Sequence, residues 1–210
     1  MQNLIIVGAS GFGRELLAMI ERINQAKPTW NVLGFIDDNV HALDNYEIDY
    51  RVLGSIQGWN LIGDELYGLA IASPRTKEKV VLALKERGIR FATLIDPTVS
   101  IGSRTKLGEG VVSFGQTGIS VDCQIGDFVF FNALCGIGHD AIIGDYCTFG
   151  PKVCISGATK MGKCVNVGAL ASTFPGVAVG DFATIGMNSA VVRKVKANTT
   201  VMGVPAKAIL

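Results

Sequence analysis

From Ile101 to Val191 every sixth residue belongs to one register, and fourteen of its sixteen positions are Ile, Leu, Val, Phe or Met, the exceptions being Ser113 and Thr173. The residue after each is glycine in ten cases, and the fifth residue of every hexad is Val, Ala, Cys, Thr or Ser. No insertion breaks the count. A period of six suits neither an amphipathic helix nor a hairpin meander, but it does suit a coil of three short strands with a corner after each. Eighteen residues then make one turn of a parallel β-helix, and residues eighteen apart lie above one another. Large first-position residues fill the interior, small fifth-position residues fit where the prism is narrow, and second-position glycines are expected to relieve the backbone at the bends. A sandwich of ordinary strands would need variable turn spacing and a dyad alternation that this register lacks.

Residues 1–95 read differently. Leu4–Val7 is a short buried strand, followed by Gly8-Ala9-Ser10-Gly11-Phe12-Gly13 and a helical pattern from Arg14 to about Ala26. A second strand runs from Val32 to Ile36 and ends in Asp37-Asp38, a third covers Leu69–Ala72, a helix spans Thr76–Arg87, and a fourth strand covers Phe91–Ile95. This alternation predicts a small parallel, Rossmann-like α/β domain over 1–95, ahead of a β-helix domain over 96–210. Glycines between a first strand and a helix let the backbone approach a phosphate, and a carboxylate ending the second strand can accept hydrogen bonds from a ribose or base. The spacing is GxxGxG, which a tight strand-to-helix turn without a ligand would also explain. A dehydrogenase is the obvious rival. However, the α/β segment stops near Asp96-Pro97, too early for a complete dinucleotide fold, and no Tyr is followed four residues later by Lys. The site therefore reads as one for a mononucleotide portion of a substrate.

Charge and cysteine usage narrow the field. Nineteen Lys+Arg against eighteen Asp+Glu leave a formal charge of +1, with no basic footprint for nucleic acid. Apolar runs reach only about ten residues, against roughly twenty needed to span a bilayer. The first seven residues lack the features of a secretory leader, so a cytoplasmic protein is expected. The five cysteines fit no CxxC pattern, in keeping with a reducing compartment. Cys123, Cys135 and Cys147 all sit at the fifth hexad position and read as core fillers, and no metal site is expected.

Two histidines exist. His41 lies in a polar loop and reads as a solvated side chain. His139 is the third residue of the hexad Ile137-Gly138-His139-Asp140-Ala141-Ile142, near a corner where side chains face outward. Acyl transfer from a thioester requires the attacking amine or hydroxyl to lose a proton, which an imidazole can take, while Asp140 orients the ring. Gly157, one coil on, leaves that face open and offers a backbone N–H to a developing oxyanion. On the residues alone, a surface His-Asp pair without catalysis stands beside this reading.

The stretches Gly8–Glu15, Gly34-Phe35-Ile36-Asp37-Asp38, Gly138-His139-Asp140 with Ile143-Gly144-Asp145-Tyr146, and Gly203-Val204-Pro205-Ala206-Lys207 resemble the hexapeptide-repeat acyltransferases, which are left-handed parallel β-helices. Within them the chain is similar to the branch that includes sialic acid O-acetyltransferases and PglD-like amino-sugar N-acetyltransferases of bacterial surface glycan pathways. The resemblance implies an acetyl-CoA-dependent enzyme that N-acetylates a nucleotide-linked amino sugar. His139 would be the general base and Asp140 its partner. Gly8, Ser10, Gly11, Phe12, Gly13, Arg14, Asp37 and Asp38 would hold the nucleotide. It further implies acetyl-CoA in a groove between two β-helices of a homotrimer, with Asn132, Gly157 and Gly186 at the thioester end and Pro205 and Lys207 near the other.

Many N-acetylating relatives carry His where this chain has Phe12 and Thr148, and the departure points to a 4-amino-4,6-dideoxyhexose acceptor. Acetylation of a sugar hydroxyl and a non-catalytic nucleotide-sugar-binding scaffold are the alternatives.

Overall fold

The structure is a computed structural model that describes residues 1–209. Strand β1 (Gln2–Val7) leads into helix α1 (Gly11–Ala26), followed by β2 (Trp30–Ile36), β3 (Val52–Gly54), β4 (Leu66–Leu69) and helix α2 (Pro74–Lys85). The four strands form one parallel sheet in the order β3-β2-β1-β4. Leu4 to Val7 are wholly buried, as an unbroken apolar run requires in a strand covered on both faces.

Some elements differ from the sequence expectation. Helix α1 starts at Gly11, three residues before Arg14, and α2 starts at Pro74, whose fixed φ suits a first helical turn. The third strand lies at Leu66–Leu69 rather than Leu69–Ala72, because the chain must turn at Ala70–Ser73 to enter α2. β3 falls in a stretch to which the sequence reading assigns no element. The strand expected at Phe91–Ile95 does not join this sheet as a whole: Phe91 bridges Tyr67, but Leu94–Ile95 pairs with Val112–Ser113 eighteen residues on. The hexad register therefore reaches back one hexad before Ile101, to Ile95.

The rest is a left-handed parallel β-helix. Two-residue strands stack at eighteen-residue intervals on three faces. One carries Lys106, Gln124, Ile142, Lys160 and Ala178; the second carries Val112, Phe130, Thr148, Asn166 and Thr184; the third carries Ser100, Gly118, Gly136, Cys154, Ser172 and Ala190. First- and fifth-position residues, among them Ile137, Phe149, Ile155, Cys123, Cys135 and Cys147, form one buried core.

The glycine expectation needs correction. The left-handed backbone at the corners falls on the fourth hexad position, at Asp122, Leu134, Asp140, Tyr146 and Lys152 among others, nearly all of them non-glycine. Second-position glycines have another cause, the close stacking of coils. A Cβ on Gly102 would lie 2.5 Å from the Val121 nitrogen, and one on Gly144 would lie 2.6 Å from the Gly162 carbonyl carbon. The bends are also tied by side chains: Asp127, Asp145 and Asp181 each accept the N–H of the residue eighteen before, at 2.8 to 2.9 Å.

The second face is covered by the N-terminal part. Val112, Phe130 and Thr148 point outward yet are buried, and Phe12 packs on Phe130 at 4.2 Å and edge-on to Phe114 at 5.7 Å. From α2, Lys77 is 2% exposed. Its Nζ donates to the Cys147 carbonyl at 3.1 Å and to Thr148 Oγ1 at 3.0 Å, while Thr148 donates to the Ala72 carbonyl at 2.7 Å.

Two outcomes follow. Gly144→Ala is expected to lower unfolding free energy by about 1–3 kcal/mol through overpacking. Lys152→Gly, at φ 59°, should leave it unchanged or raise it by up to about 1 kcal/mol by removing left-handed strain; chemical denaturation checks both. Burial pushes Lys77 down to about 7 from 10.5. The unfolded chain therefore binds more protons between those values, so stability should rise with pH across that window. Lys77→Met should flatten the rise in denaturation midpoints measured from about pH 6 to 10.

Candidate active site

His139 and Asp140 form the two-residue turn between the third face and the first. The Asp140 backbone is left-handed at φ 58°, which swings its carboxylate back toward the ring: His139 Nδ1 and Asp140 Oδ2 are 2.7 Å apart, with the side chains 65% and 62% exposed. With Nδ1 bound to a carboxylate, the ring carries its proton there and leaves Nε2 as the acceptor. His41 makes the same kind of pair with Asp44 at 2.8 Å, on an open surface.

What separates the two histidines is the neighbouring coil. The imidazole lies flat against Gly157, where a Cβ would be 2.7 Å from Nε2 and 2.8 Å from Cε1. Glycine at 157 is thus the residue that lets the ring rest on the next coil. The Gly157 N–H has no protein acceptor among the described residues. Beside this corner, an open groove of about 430 Å³ runs along the third face, bounded by Ser120, Gly138, Cys154 and Ser156. Every outward residue of that face is small.

The nucleotide candidates gather at the C-terminal end of β1 and β2. Gly8 has φ +102° and sits against the Ala70 carbonyl, and a Cβ on Gly13 would collide with the Gly8 carbonyl. Both glycines are explained by packing inside the fold. Gly11 is not, since only the Arg14 side chain lies near it. Ser10 makes no capping bond at the start of α1. Asp37 is committed to the loop itself, accepting the Ala9 N–H at 2.7 Å and the Asn39 N–H at 2.8 Å. Asp38 is exposed and accepts the Gln57 N–H through one oxygen. Phe12 is occupied by Phe114 and Phe130, and Thr148 by Lys77 and Ala72. Phe12 and Thr148 therefore fasten the N-terminal part to the β-helix.

The remaining candidates do not converge on His139 within one chain. Asn132 and Gly186 belong to the corner between the second and third faces, a full face away from His139 and Gly157. Asn132 borders a different hollow beside α1, and Gly186 is covered by Met202. Pro205 and Lys207 are exposed at the C-terminal end of the solenoid, where Lys207–Ala208 pairs antiparallel with Val201–Met202. Sequence reasoning missed Tyr46, whose ring lies 3.4 Å from the Arg14 guanidinium; it sits in a polar loop without periodicity. Among the described residues no group of three or more His, Cys, Asp or Glu is placed to hold a metal ion, and no helix is long and apolar enough to cross a membrane.

Known proteins agree with both halves of this structure. Residues 3–84 match the PglD N-terminal domain family, and residues 122–157 match the bacterial transferase hexapeptide (six repeats) family. WeeI from Acinetobacter baumannii AYE superposes with a TM-score of 0.87 at 27% identity, over 100% of each chain. The chain resembles the PglD-like hexapeptide-repeat acyltransferases over its full length. Another PglD-like relative, the GDP-perosamine N-acetyltransferase of Escherichia coli O157:H7, is 28% identical over 177 residues, covering 82% of this chain and 78% of that protein. PerB from Caulobacter crescentus, crystallised with CoA and GDP-perosamine, shares the fold with a TM-score of 0.86 at 24% identity, over 99% of this chain and 97% of that one.

The PglD-like glycine loop rests on the Asp37 carboxylate. Asp37→Ala leaves the Ala9 and Asn39 N–H groups without that acceptor and is expected to lower stability by about 1–3 kcal/mol, measurable by chemical denaturation.

Proposed function

We propose that this chain is an acetyl-CoA-dependent N-acetyltransferase acting on a nucleotide-linked amino sugar, with a 4-amino-4,6-dideoxyhexose as the acceptor. The observation that carries the reading is the His139 imidazole, held by Asp140 and laid on Gly157 at the edge of an unobstructed groove. The acceptor amine attacks the thioester carbonyl, forming the C–N bond. His139 Nε2 removes the proton from that nitrogen, the Gly157 N–H faces the developing oxyanion, and the C–S bond breaks as the proton passes to the CoA sulfur. The E. coli relative, a GDP-perosamine N-acetyltransferase, supports a nucleotide-linked amino sugar as the acceptor.

Residues 1–95 are proposed as the nucleotide-binding unit and 96–210 as the acyl-transfer unit. The uncapped N-terminus of α1 beside Gly11, a glycine with no packing reason inside the fold, supports a diphosphate there. Asp38 is the better placed of the two carboxylates for the nucleoside, because Asp37 is already engaged. A homotrimer is proposed as the working state. Its support is the separation of Asn132 from His139 by one whole face whose outward residues are all small, so that a second β-helix packing there would bring one chain's His139 toward another's Asn132. Five free cysteines support a cytoplasmic setting.

Thiol release from acetyl-CoA across amino and hydroxy nucleotide sugars tests the activity. His139→Ala is expected to lower kcat by at least about 100-fold with little change in stability. Gly157→Ala should lower it by at least tenfold, roughly, by displacing the ring. Full turnover in His139→Ala would remove the proposed base, and transfer only to hydroxy sugars would replace N- by O-acetylation.

A further inference from the structure

Between α1 and the corner that carries Asn132 lies a hollow of about 540 Å³, within the range of small-molecule sites. One wall is a single face of α1, with Glu15, Ala18 and Arg22 at spacings of three and four. The other includes Phe114, Asn132 and Leu134 from two stacked coils.

The charges in this hollow are unequal. Arg22 is neutralised by Asp96 at 2.8 Å, and that carboxylate, 2% exposed, also accepts the Thr98 N–H and hydroxyl. The Asn132 side-chain oxygen accepts the Ala133 N–H at 2.7 Å, so its NH₂ is left for a ligand. Arg14, next to Glu15, is stacked on Tyr46. Glu15 makes no hydrogen bond or ion pair among the described residues, and it is the one carboxylate of the lining without a cation. Its position along α1 matters too. At 1.5 Å per residue, Glu15 lies about 6 Å along the axis from Gly11. A diphosphate seated at the start of α1 would therefore bring the sugar attached to it down over the first turn, at the mouth of this hollow.

Resting on the nucleotide-sugar reading above, we propose that this hollow holds the acceptor sugar and that Glu15 is its specificity-determining residue, receiving the sugar's amino group and favouring an ammonium over a hydroxyl at the same ring position. A hydroxyl at that position would also donate to the carboxylate, but only an ammonium adds a full opposite charge at contact distance, and that Coulombic attraction is the source of the discrimination. Asn132 donates to a ring oxygen or hydroxyl across from it.

The test is equilibrium binding to the full chain of three probes: a 4-amino-4,6-dideoxyhexose, its 4-hydroxy counterpart, and the bare nucleoside diphosphate, the sugars each in GDP-, UDP- and dTDP-linked form. Glu15→Gln keeps the size and an acceptor oxygen but removes the charge. Its affinity for the amino sugar is expected to fall by about tenfold, while affinities for the hydroxy sugar and the diphosphate stay within about twofold. Ala18→Trp fills the hollow, and should lose the affinity both sugars add over the diphosphate while keeping diphosphate binding and melting temperature.

An unchanged amino-to-hydroxy ratio in Glu15→Gln, or amino-sugar binding by a folded Ala18→Trp as tight as by the parent, overturns the proposal. Should the parent transfer acetyl to an amino sugar under either result, the N-acetyltransferase reading stands and the hollow alone is wrong. Should no amino sugar accept acetyl while Glu15-dependent binding persists, the hollow stands and the activity falls. Failure of the parent to bind any of the sugars overturns both.

Discussion

Coil-on-coil contact is the constraint on which this molecule depends. Parallel strands of two residues are too short to hold together singly, and they persist because each, apart from those at the ends of a face, is paired on both sides at an offset of eighteen residues or close to it. That pairing brings the backbone of one corner within a Cβ's reach of the next, and glycine at the second hexad position is the consequence. The same closeness lets His139 rest on Gly157. Spacing that keeps the solenoid tight thus also sets the imidazole's place.

The N-terminal part uses the prism as a platform. Phe12, Phe114 and Phe130 form one aromatic contact, and Lys77 and Thr148 form a buried polar one. One attachment is made from α1 and the other from α2, so the glycine loop is fixed relative to the coils. An ammonium buried as deeply as that of Lys77 opposes folding through desolvation, while its bonds to the Cys147 carbonyl and Thr148 hydroxyl fix one docking geometry. Phe12 and Thr148, two of the glycine-loop and β-helix positions weighed as ligand contacts, are taken up by these attachments.

Much of this was legible in the sequence, and for a physical reason. A solenoid repeats one environment, so each interior residue is a vote for the same register, and the cysteines at 123, 135 and 147 could be placed by counting. The β1–α1 turn was legible from its glycines. Four things were not. The left-handed residue of a corner can be Asp, Leu, Tyr, Lys, Phe or Ala among others, with no compositional mark, so the sequence pattern assigns the bend to the glycine two residues before it. Leu94–Ile95 looks like any short strand, and only the eighteen-residue distance to Val112 reveals its partner. Asp37 and Asp38 are neighbours of one type, and which carboxylate is tied to the Ala9 and Asn39 amides is decided by backbone geometry. Asn132 and His139, seven residues apart in sequence, sit on separate corners, because each face takes six residues and they belong to successive hexads.

The decisive measurement is a crystal structure of the full chain with acetyl-CoA. The mechanism proposed here requires the thioester sulfur or its carbonyl within about 4 Å of His139 Nε2, with the carbonyl oxygen in hydrogen-bond range of the Gly157 N–H. Acetyl-CoA bound elsewhere, or an imidazole turned away from it with Asp140 disengaged, would contradict the account while leaving the β-helix untouched.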